Sequence, residues 1–196
     1  TSGVDLSDWA EAFASGSPFP VAEDEIDPFA MSGPRLSKPL VIAVQGRCYT
    51  WGWELLLNTD LRVAATDTRF AMLEVRRGFY ACGGATLRLP TEIGWANAQR
   101  DLLTGDELGA EEAYRHGLVQ QRCAPGEQRD AAISLAQRVA KAARLGNRKG
   151  VRNRFLIRRP TSPRMPPHGP LPPTGSGRCR LPRPEPAGHA AAAVRK

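Results

Sequence analysis

The stretch KPLVIAVQGRCYTWGWELLLNTDLRVAATDTRFAMLEVRRGF, residues 38–79, decides the fold class of this chain. Its first part, residues 40–46, is a continuously apolar, β-branched run that ends at Gly46. That composition predicts a strand buried on both faces, as in a sheet covered by helices. The predicted elements that follow are a helix over residues 53–58 and strands over residues 60–65 and 69–72. Strands and helices that alternate so closely indicate an α/β layered core.

The segments on either side of this stretch extend the same pattern. Apolar spacing predicts further helices over residues 5–15, 86–89, 96–103, 110–116 and 130–145. Residues 117–119 predict one more short strand. Two segments, the Pro-interrupted residues 17–39 and the Gly-rich residues 78–85, are predicted loops. We therefore expect one α/β core over residues 1–146.

The last fifty residues differ from this core in charge and composition. Residues 147–196 hold 12 Lys or Arg and one acid, a net charge of +11, whereas the first 146 residues sum to −4. Ten of the 17 prolines also lie there. Such a segment buries too little apolar surface to offset its conformational entropy, so residues 147–196 are predicted to be a disordered tail. Its charge suits a polyanion, but it almost lacks aromatic residues, and nucleic acid is not the expected partner.

The cysteines and histidines favour no metal site. Cys48, Cys82, Cys123 and Cys179 lie far apart, without a C-x-x-C pair or a cluster of histidines. Dispersed cysteines without a secretory signal suit a reducing compartment, where they stay as thiols. The longest clean apolar run, residues 40–44, is too short to cross a bilayer. We expect a cytoplasmic protein that has no membrane span and needs no metal.

Two glutamates stand out by position. Glu54 is predicted at the start of a helix, after a buried strand and a Gly-containing turn, and Glu74 lies between a strand and a Gly-rich loop. The helix start leaves the backbone N–H groups of residues 51–53 exposed, which attracts anions. Two carboxylates beside such a site can divide acid and base roles. A glutamate in the first turn of a helix is more often a solvated partner of the helix dipole, and the pattern alone leaves both interpretations open.

Residues 38–79 also resemble the central signature of the enoyl-CoA hydratase/isomerase (crotonase) superfamily, K-P-x-I-A-x-V-x-G-x-x-x-G-G-G-x-E-L followed by x-x-x-C-D-x-R-x-A and x-x-x-F-x-x-P-E-x-x-x-G. The similarity resumes in GGATLRLPTEIGWANAQRDLLTGDELGAEEAYRHGLVQQ, residues 83–121, and the opening TSGVDLSDW resembles the family's F-x-A-G-x-D-L. It implies a crotonase-like layered spiral core of the ClpP/crotonase type. That core is expected to be incomplete, because the family's strand-and-helix portion before F-x-A-G is not present. The tail after residue 146 is atypical, and an out-of-frame reading of GC-rich DNA is one hypothesis for it.

The resemblance implies an enoyl-CoA hydratase that adds water across the 2,3 double bond of a thioester in lipid metabolism. The main-chain amides of Ser2 and Trp51 correspond to the oxyanion hole, which polarises the thioester carbonyl. Glu54 and Glu74 fall where hydratases carry their acid and base carboxylates. We favour Glu74 as the proton donor to carbon and Glu54 as the base that orients water, although the reverse division stays open.

Further expectations follow from the same resemblance. The positions that match the substrate-binding motifs are Gly3, Val4, Asp5 and Gly52. Coenzyme A arrives as part of the substrate, no separate cofactor is implied, and family members assemble as homotrimers or hexamers. An enoyl-CoA isomerase and a truncated, catalytically inactive relative are the alternatives. A glutamate at both positions favours the hydratase.

This sequence departs from the family pattern at the triple glycine, which reads Thr50-Trp51-Gly52 here. Glycine there permits close backbone approach and unusual backbone angles. Trp51 and Trp53 either narrow the acyl pocket or pack as core residues. Leu73 and Ala81 replace two prolines of the family pattern, and both changes are tolerable.

Overall fold

A computed structural model describes residues 1–5, 7, 9, 25–34, 36–142 and 146 of this chain. The strands are β1 (Val41–Val44), β2 (Arg47–Tyr49), β3 (Leu61–Ala65), β4 (Arg69–Ala71), β5 (Leu108–Gly109) and β6 (Gln121–Cys123). The helices are α1 (Trp51–Leu57), α2 (Ala85–Ile93), α3 (Trp95–Thr104), α4 (Ala110–Arg115) and α5 (Gln128–Lys141), with a 3₁₀ helix over Leu73–Arg77. The α/β class predicted from the sequence is confirmed.

Two small sheets organise the described residues. In the first, β3 lies between β1 and β6 and is parallel to both, with Val41 opposite Leu61 and Val63 opposite Gln121. In the second, β4 lies between β2, to which it is parallel, and β5, to which it is antiparallel. Helix α1 connects β2 to β3, so its first residue lies at the carboxyl end of a strand, where α/β folds place ligands.

Most predicted elements are observed with small shifts of their ends. The helix expected at residues 53–58 begins two residues earlier, at Trp51. The helix expected at residues 86–89 continues through Pro90 to Ile93, because Leu89 and Ile93 both pack into the core and Gly94 ends it. The short strands β2 and β5 and the 3₁₀ helix were not predicted. The predicted helix over residues 5–15 falls largely outside the described residues, and the predicted tail over 147–196 falls wholly outside them.

The prediction that the first strand is buried on both faces is wrong. All four residues of β1 are only half-buried. Within the described part of the chain, β1 pairs with β3 alone and forms an edge of its sheet. The strand with a nearly complete burial pattern is β3, which is paired on both sides. An apolar run therefore identified a strand correctly but not its place in the sheet.

The strand predicted at residues 117–119 is also wrong. Gly117 has a φ of 79°, and the amides of Leu118 and Val119 both donate hydrogen bonds back to the carbonyl of Ala113. Leu118 and Val119 fill the core as part of this turn, at 0% and 1% exposure. The strand begins two residues later, at Gln121.

No helix among the described residues is long and apolar enough to cross a membrane. The apolar core lies between α1, α2 and the second sheet. Its largest fully buried side chains include those of Trp53, Phe70, Leu56 and Leu57.

Arg62 of β3 is buried to 1% exposure and joins several elements. Its guanidinium donates to the carbonyls of Leu56, Thr59 and Leu118 at 3.1 Å each. It also forms an ion pair of 3.2 Å with Glu92 of α2. One cation thus joins the end of α1, the following turn, the 118–119 turn and α2, and it supplies a donor to several buried carbonyls.

We predict that Arg62→Met strongly destabilises the protein. The substitution removes the donors of several buried carbonyls and leaves Glu92 without its cation, which costs about 3 kcal/mol or more. The midpoint of urea unfolding measures this loss. Arg129→Met is the control, because that arginine is 81% exposed and forms only a long contact of 3.9 Å with Asp130. Equal midpoints for the two variants would contradict the structural role of Arg62.

Candidate active site

A cleft of about 480 Å³ lies between the first residues of the chain, the start of α1 and the 3₁₀ helix. Six of the residues that the sequence analysis singled out line it: Ser2, Gly3, Val4, Asp5, Trp51 and Glu74. Two others lie elsewhere. Glu54 is fully buried on α1, and Gly52 faces Thr1, whose Cγ2 lies 2.5 Å from the position a Cβ would occupy.

The first residues reach this cleft because they bind strand β2 and the start of α1. The amide of Tyr49 donates to the carbonyl of Thr1 at 3.1 Å, and the Thr50 hydroxyl donates to the carbonyl of Ser2 at 3.3 Å. Gly3 allows this approach, because a Cβ there would lie 2.0 Å from Thr50 Oγ1 and its φ is 107°. Ser2 and Trp51 therefore lie on one wall, although they are distant in sequence.

Thr50 carries the backbone conformation for which the family pattern uses glycine. Its φ is 49° and its ψ is −118°, a combination that is strained for a β-branched residue. Three hydrogen bonds hold it there. Its amide donates to the Ala71 carbonyl at 2.9 Å, its carbonyl accepts from the Glu54 amide at 2.9 Å, and its hydroxyl binds Ser2. The strained turn sets the direction in which α1 starts and thereby the position of the Trp51 amide.

Glu54 is a carboxyl group excluded from water and only partly hydrogen-bonded. Its Oε1 accepts a hydrogen bond of 3.1 Å from the Ala85 amide, while Oε2 has no hydrogen-bond partner among the described residues. Burial raises the pKa of Glu54 to about 7; the Ala85 hydrogen bond lowers it, and the nearby charge of Glu74 raises it. Gly83 leaves room for this group, since a Cβ there would lie 2.7 Å from Glu54 Oε2.

Glu74 is the second buried carboxyl group. It follows β4 in the first turn of the 3₁₀ helix, is 3% exposed, and neither of its oxygens has a hydrogen-bond partner among the described residues. Burial raises its pKa as well. The charge of Glu74 raises the pKa of Glu54, and both side chains have oxygens without a hydrogen-bond partner among the described residues, so they can bind water and exchange protons with a ligand.

The two tryptophans of α1 have different surroundings. Trp53 is fully buried and packs against Phe70, with ring centroids 5.5 Å apart, so it belongs to the core. Trp51 lines the cleft, and its indole makes edge contacts with Trp9 at 5.0 Å and Phe29 at 5.4 Å. Of the two roles considered for these residues, only Trp51 is placed to shape a ligand pocket.

A short loop over residues 27–32 holds Phe29 in this position. The carboxylate of Asp27 accepts hydrogen bonds from the amides of Phe29, Met31 and Ser32, at 2.7 to 2.9 Å. Arg88 joins the loop to the Gly-rich segment by donating to the carbonyls of Phe29 at 2.6 Å and Gly83 at 3.0 Å. Arg88 therefore connects the loop that carries Phe29 to the Gly-rich segment beside Glu54.

Sequence reasoning missed several residues of this site. Arg77 and Phe79 line the cleft beside Glu74, and Phe29 packs on Trp51. The position of Arg77, three residues after Glu74, was a usable signal, because residues three apart share a face of a 3₁₀ helix. Phe29 lay in a segment interpreted only as loop, and no local pattern points to its role.

The described residues contain no group of three or more His, Cys, Asp or Glu side chains placed to hold a metal ion. Cys48, Cys82 and Cys123 are free thiols.

The raised pKa of Glu54 predicts a pH-dependent effect of Glu54→Gln on stability. The folded state binds the proton of this group more tightly than the unfolded chain does, so ionisation destabilises the fold as pH rises from about 4.5 to about 7. Glutamine carries no charge at any pH. We expect equal urea midpoints for both proteins below pH 4.5, and a variant more stable by up to about 3 kcal/mol at pH 8.

The control for this measurement is Asp67→Asn at an exposed turn, where the same exchange of acid for amide should change little at either pH. A stabilisation by Glu54→Gln that is the same at both pH values would disprove the burial argument.

Comparisons with known proteins show which family the chain resembles. The sequence model of the enoyl-CoA hydratase/isomerase family matches residues 2–149. A crystal structure of a probable enoyl-CoA hydratase/isomerase from Mycobacterium abscessus is 44% identical and superposes with a TM-score of 0.75, covering 81% of this chain and 61% of that one.

Among curated relatives, the (E)-benzylidenesuccinyl-CoA hydratase of Thauera aromatica is 39% identical over 57% of this chain and 43% of its own. The enoyl-CoA hydratase EchA19 of Mycobacterium tuberculosis is 34% identical over 66% of this chain and 47% of its own. The chain thus spans less than half the length of these two relatives. With its crotonase-type α/β fold and a match over most of its length, this chain belongs to the enoyl-CoA hydratase/isomerase family.

Proposed function

We propose that this protein adds water across the 2,3 double bond of an enoyl-CoA thioester. The observation that carries the proposal is the pair of buried carboxyl groups, Glu54 and Glu74, which have oxygens without hydrogen-bond partners among the described residues. The charge of Glu74 also raises the pKa of Glu54. The family includes both hydratases and isomerases. An isomerase needs a carboxylate that moves a proton between carbons, whereas a hydratase needs two carboxyl groups around one water molecule.

In this mechanism the amides of Ser2 and Trp51 bind the thioester oxygen and stabilise the negative charge that develops on it. Glu54 begins ionised and takes a proton from the water, whose hydroxide adds to the β-carbon. Glu74 begins protonated and gives its proton to the α-carbon. Glu54 ends protonated and Glu74 ionised, so the pair returns to its starting state after one proton is exchanged between them.

The surroundings of the two glutamates support this division of roles. Glu54 accepts a hydrogen bond from the Ala85 amide, which favours its ionised form, and Glu74 has no such donor among the described residues. Burial of both groups raises the pKa of each and disfavours a doubly ionised pair, which favours a state in which the pair shares one proton. Such a pair can serve as base and acid in a single turnover.

We predict that Glu54→Gln and Glu74→Gln each slow hydration of crotonyl-CoA by about a hundredfold or more, because glutamine neither accepts nor donates the required proton. Loss of ultraviolet absorbance of the conjugated thioester measures the rate. Asp67→Asn, on the surface, should keep the wild-type rate. Equal turnover in all of these proteins would refute the assignment.

A second measurement separates the two roles. Exchange of the α-protons of butyryl-CoA in D₂O requires only the group that faces the α-carbon. We expect Glu74→Gln to lose this exchange and Glu54→Gln to retain it. The opposite result would reverse the division of roles and leave the reaction itself unchanged.

We also predict a bell-shaped dependence of kcat/KM on pH. The base must be ionised, and burial raises the pKa of Glu54 to about 7, so the rate should rise with pH through that region. The acid must be protonated, so the rate should fall once Glu74 ionises, at a pH that burial moves above the ordinary range of a carboxyl group. Initial rates with crotonyl-CoA across this range test the prediction, and a profile without a rising limb near pH 7 contradicts it.

A further inference from the structure

The cleft contains a cationic side chain, that of Arg77, which takes no part in the proposed hydration. Arg77 lines the same cleft as Glu74, and both belong to the 3₁₀ helix Leu73–Arg77. A 3₁₀ helix has three residues per turn, so these two side chains leave the helix on the same side, one turn apart. Leu73 and Phe79 also line this wall, which places the guanidinium beside apolar surface.

The Arg77 guanidinium has no hydrogen bond or ion pair with any residue in the described part of the chain, and the oxygens of Glu74 are likewise unpartnered. Arg77 and Glu74 therefore leave the helix on the same side without forming an ion pair with each other. Asp5 shares the cleft wall, and its Oδ1 accepts a hydrogen bond of 2.9 Å from the Ser7 amide. Arg77 is thus available to an anion that enters the cleft.

The preceding residue, Arg76, shows what a structural arginine looks like in this helix. Its Nε donates to the Thr104 carbonyl at 3.0 Å, and its Nη2 pairs with Asp106 at 2.8 Å. Arg76 does not line the cleft. Both arginines are exposed. Arg76 is bound to the protein through its hydrogen bonds, whereas Arg77 lines the cleft.

We propose that Arg77 binds a second carboxylate at the far end of the acyl group, so that the preferred substrate is the thioester of an unsaturated dicarboxylic acid. This inference rests on the proposed function. A guanidinium matches a carboxylate with two parallel hydrogen bonds, which makes it a selective partner for such a group. The phosphates of coenzyme A are the other possible anions. They are separated from the reacting carbons by the long pantetheine arm, whereas Arg77 lies one helical turn from Glu74.

The test compares two six-carbon substrates that differ only in the terminal group, dehydroadipyl-CoA with a carboxylate and hexenoyl-CoA with a methyl. We expect the wild-type protein to prefer dehydroadipyl-CoA by about tenfold or more in kcat/KM. Arg77→Gln should reduce this preference by about tenfold or more, and Arg76→Gln, the matched control, should retain it. Arg77→Lys should keep part of the preference, because it keeps the charge but not the planar fork.

Other outcomes would overturn the inference. A fall of equal size for both substrates in Arg77→Gln would assign this cation to the phosphates of coenzyme A. A wild-type protein without preference would also contradict it. Calorimetric affinities for the saturated ligands adipoyl-CoA and hexanoyl-CoA need no turnover, so they test Arg77 separately from the reaction. If adipoyl-CoA binds more tightly through Arg77 but neither unsaturated thioester is hydrated, the proposed function fails and the anion site stands.

Discussion

Two carboxyl groups withdrawn from water with too few hydrogen-bond donors are the feature on which the rest of this site depends. Burying an ionised carboxylate without full pairing is unfavourable, and a protein normally avoids it or lets the group take up a proton. Among the described residues, Glu54 has one oxygen without a hydrogen-bond partner and Glu74 has two. The fold tolerates this cost because Trp53 anchors α1 in the core, and Met72, directly before the 3₁₀ helix, belongs to the same core.

Hydrogen bonds also fix the backbone around the two carboxyl groups. The first residues of the chain reach the cleft through hydrogen bonds to Tyr49 and Thr50, and Thr50 is kept in a strained conformation by its contacts with Ala71 and Ser2. The family pattern has glycine at that position. The present chain obtains the same turn with a β-branched residue, because three hydrogen bonds fix it and the Gly3 backbone leaves space for its side chain.

The sequence predicted the elements around the site better than the contacts within it. Glu54 and Glu74 could be located because each follows a recognisable strand, and the resemblance to the family assigned Ser2 and Trp51 to the same site. The edge position of β1 could not be predicted, because composition reports burial of a strand only on average. The turn at Leu118 and Val119 could not be predicted either, because two buried apolar residues fit a turn in the core as well as a strand. The position of Phe29 depends on its hydrogen bonds with Asp27 and Arg88, which no local sequence pattern predicts.

The bridge formed by Arg88 couples two properties of the site that are usually considered separately. One guanidinium holds the carbonyls of Phe29 and Gly83, and the Gly83 backbone packs directly against the carboxyl group of Glu54. Under the proposed function, an acyl group that displaced Phe29 would disturb the packing around Glu54 and so change its proton affinity. By thermodynamic reciprocity, acyl groups of different shape would then meet a carboxyl group of different basicity.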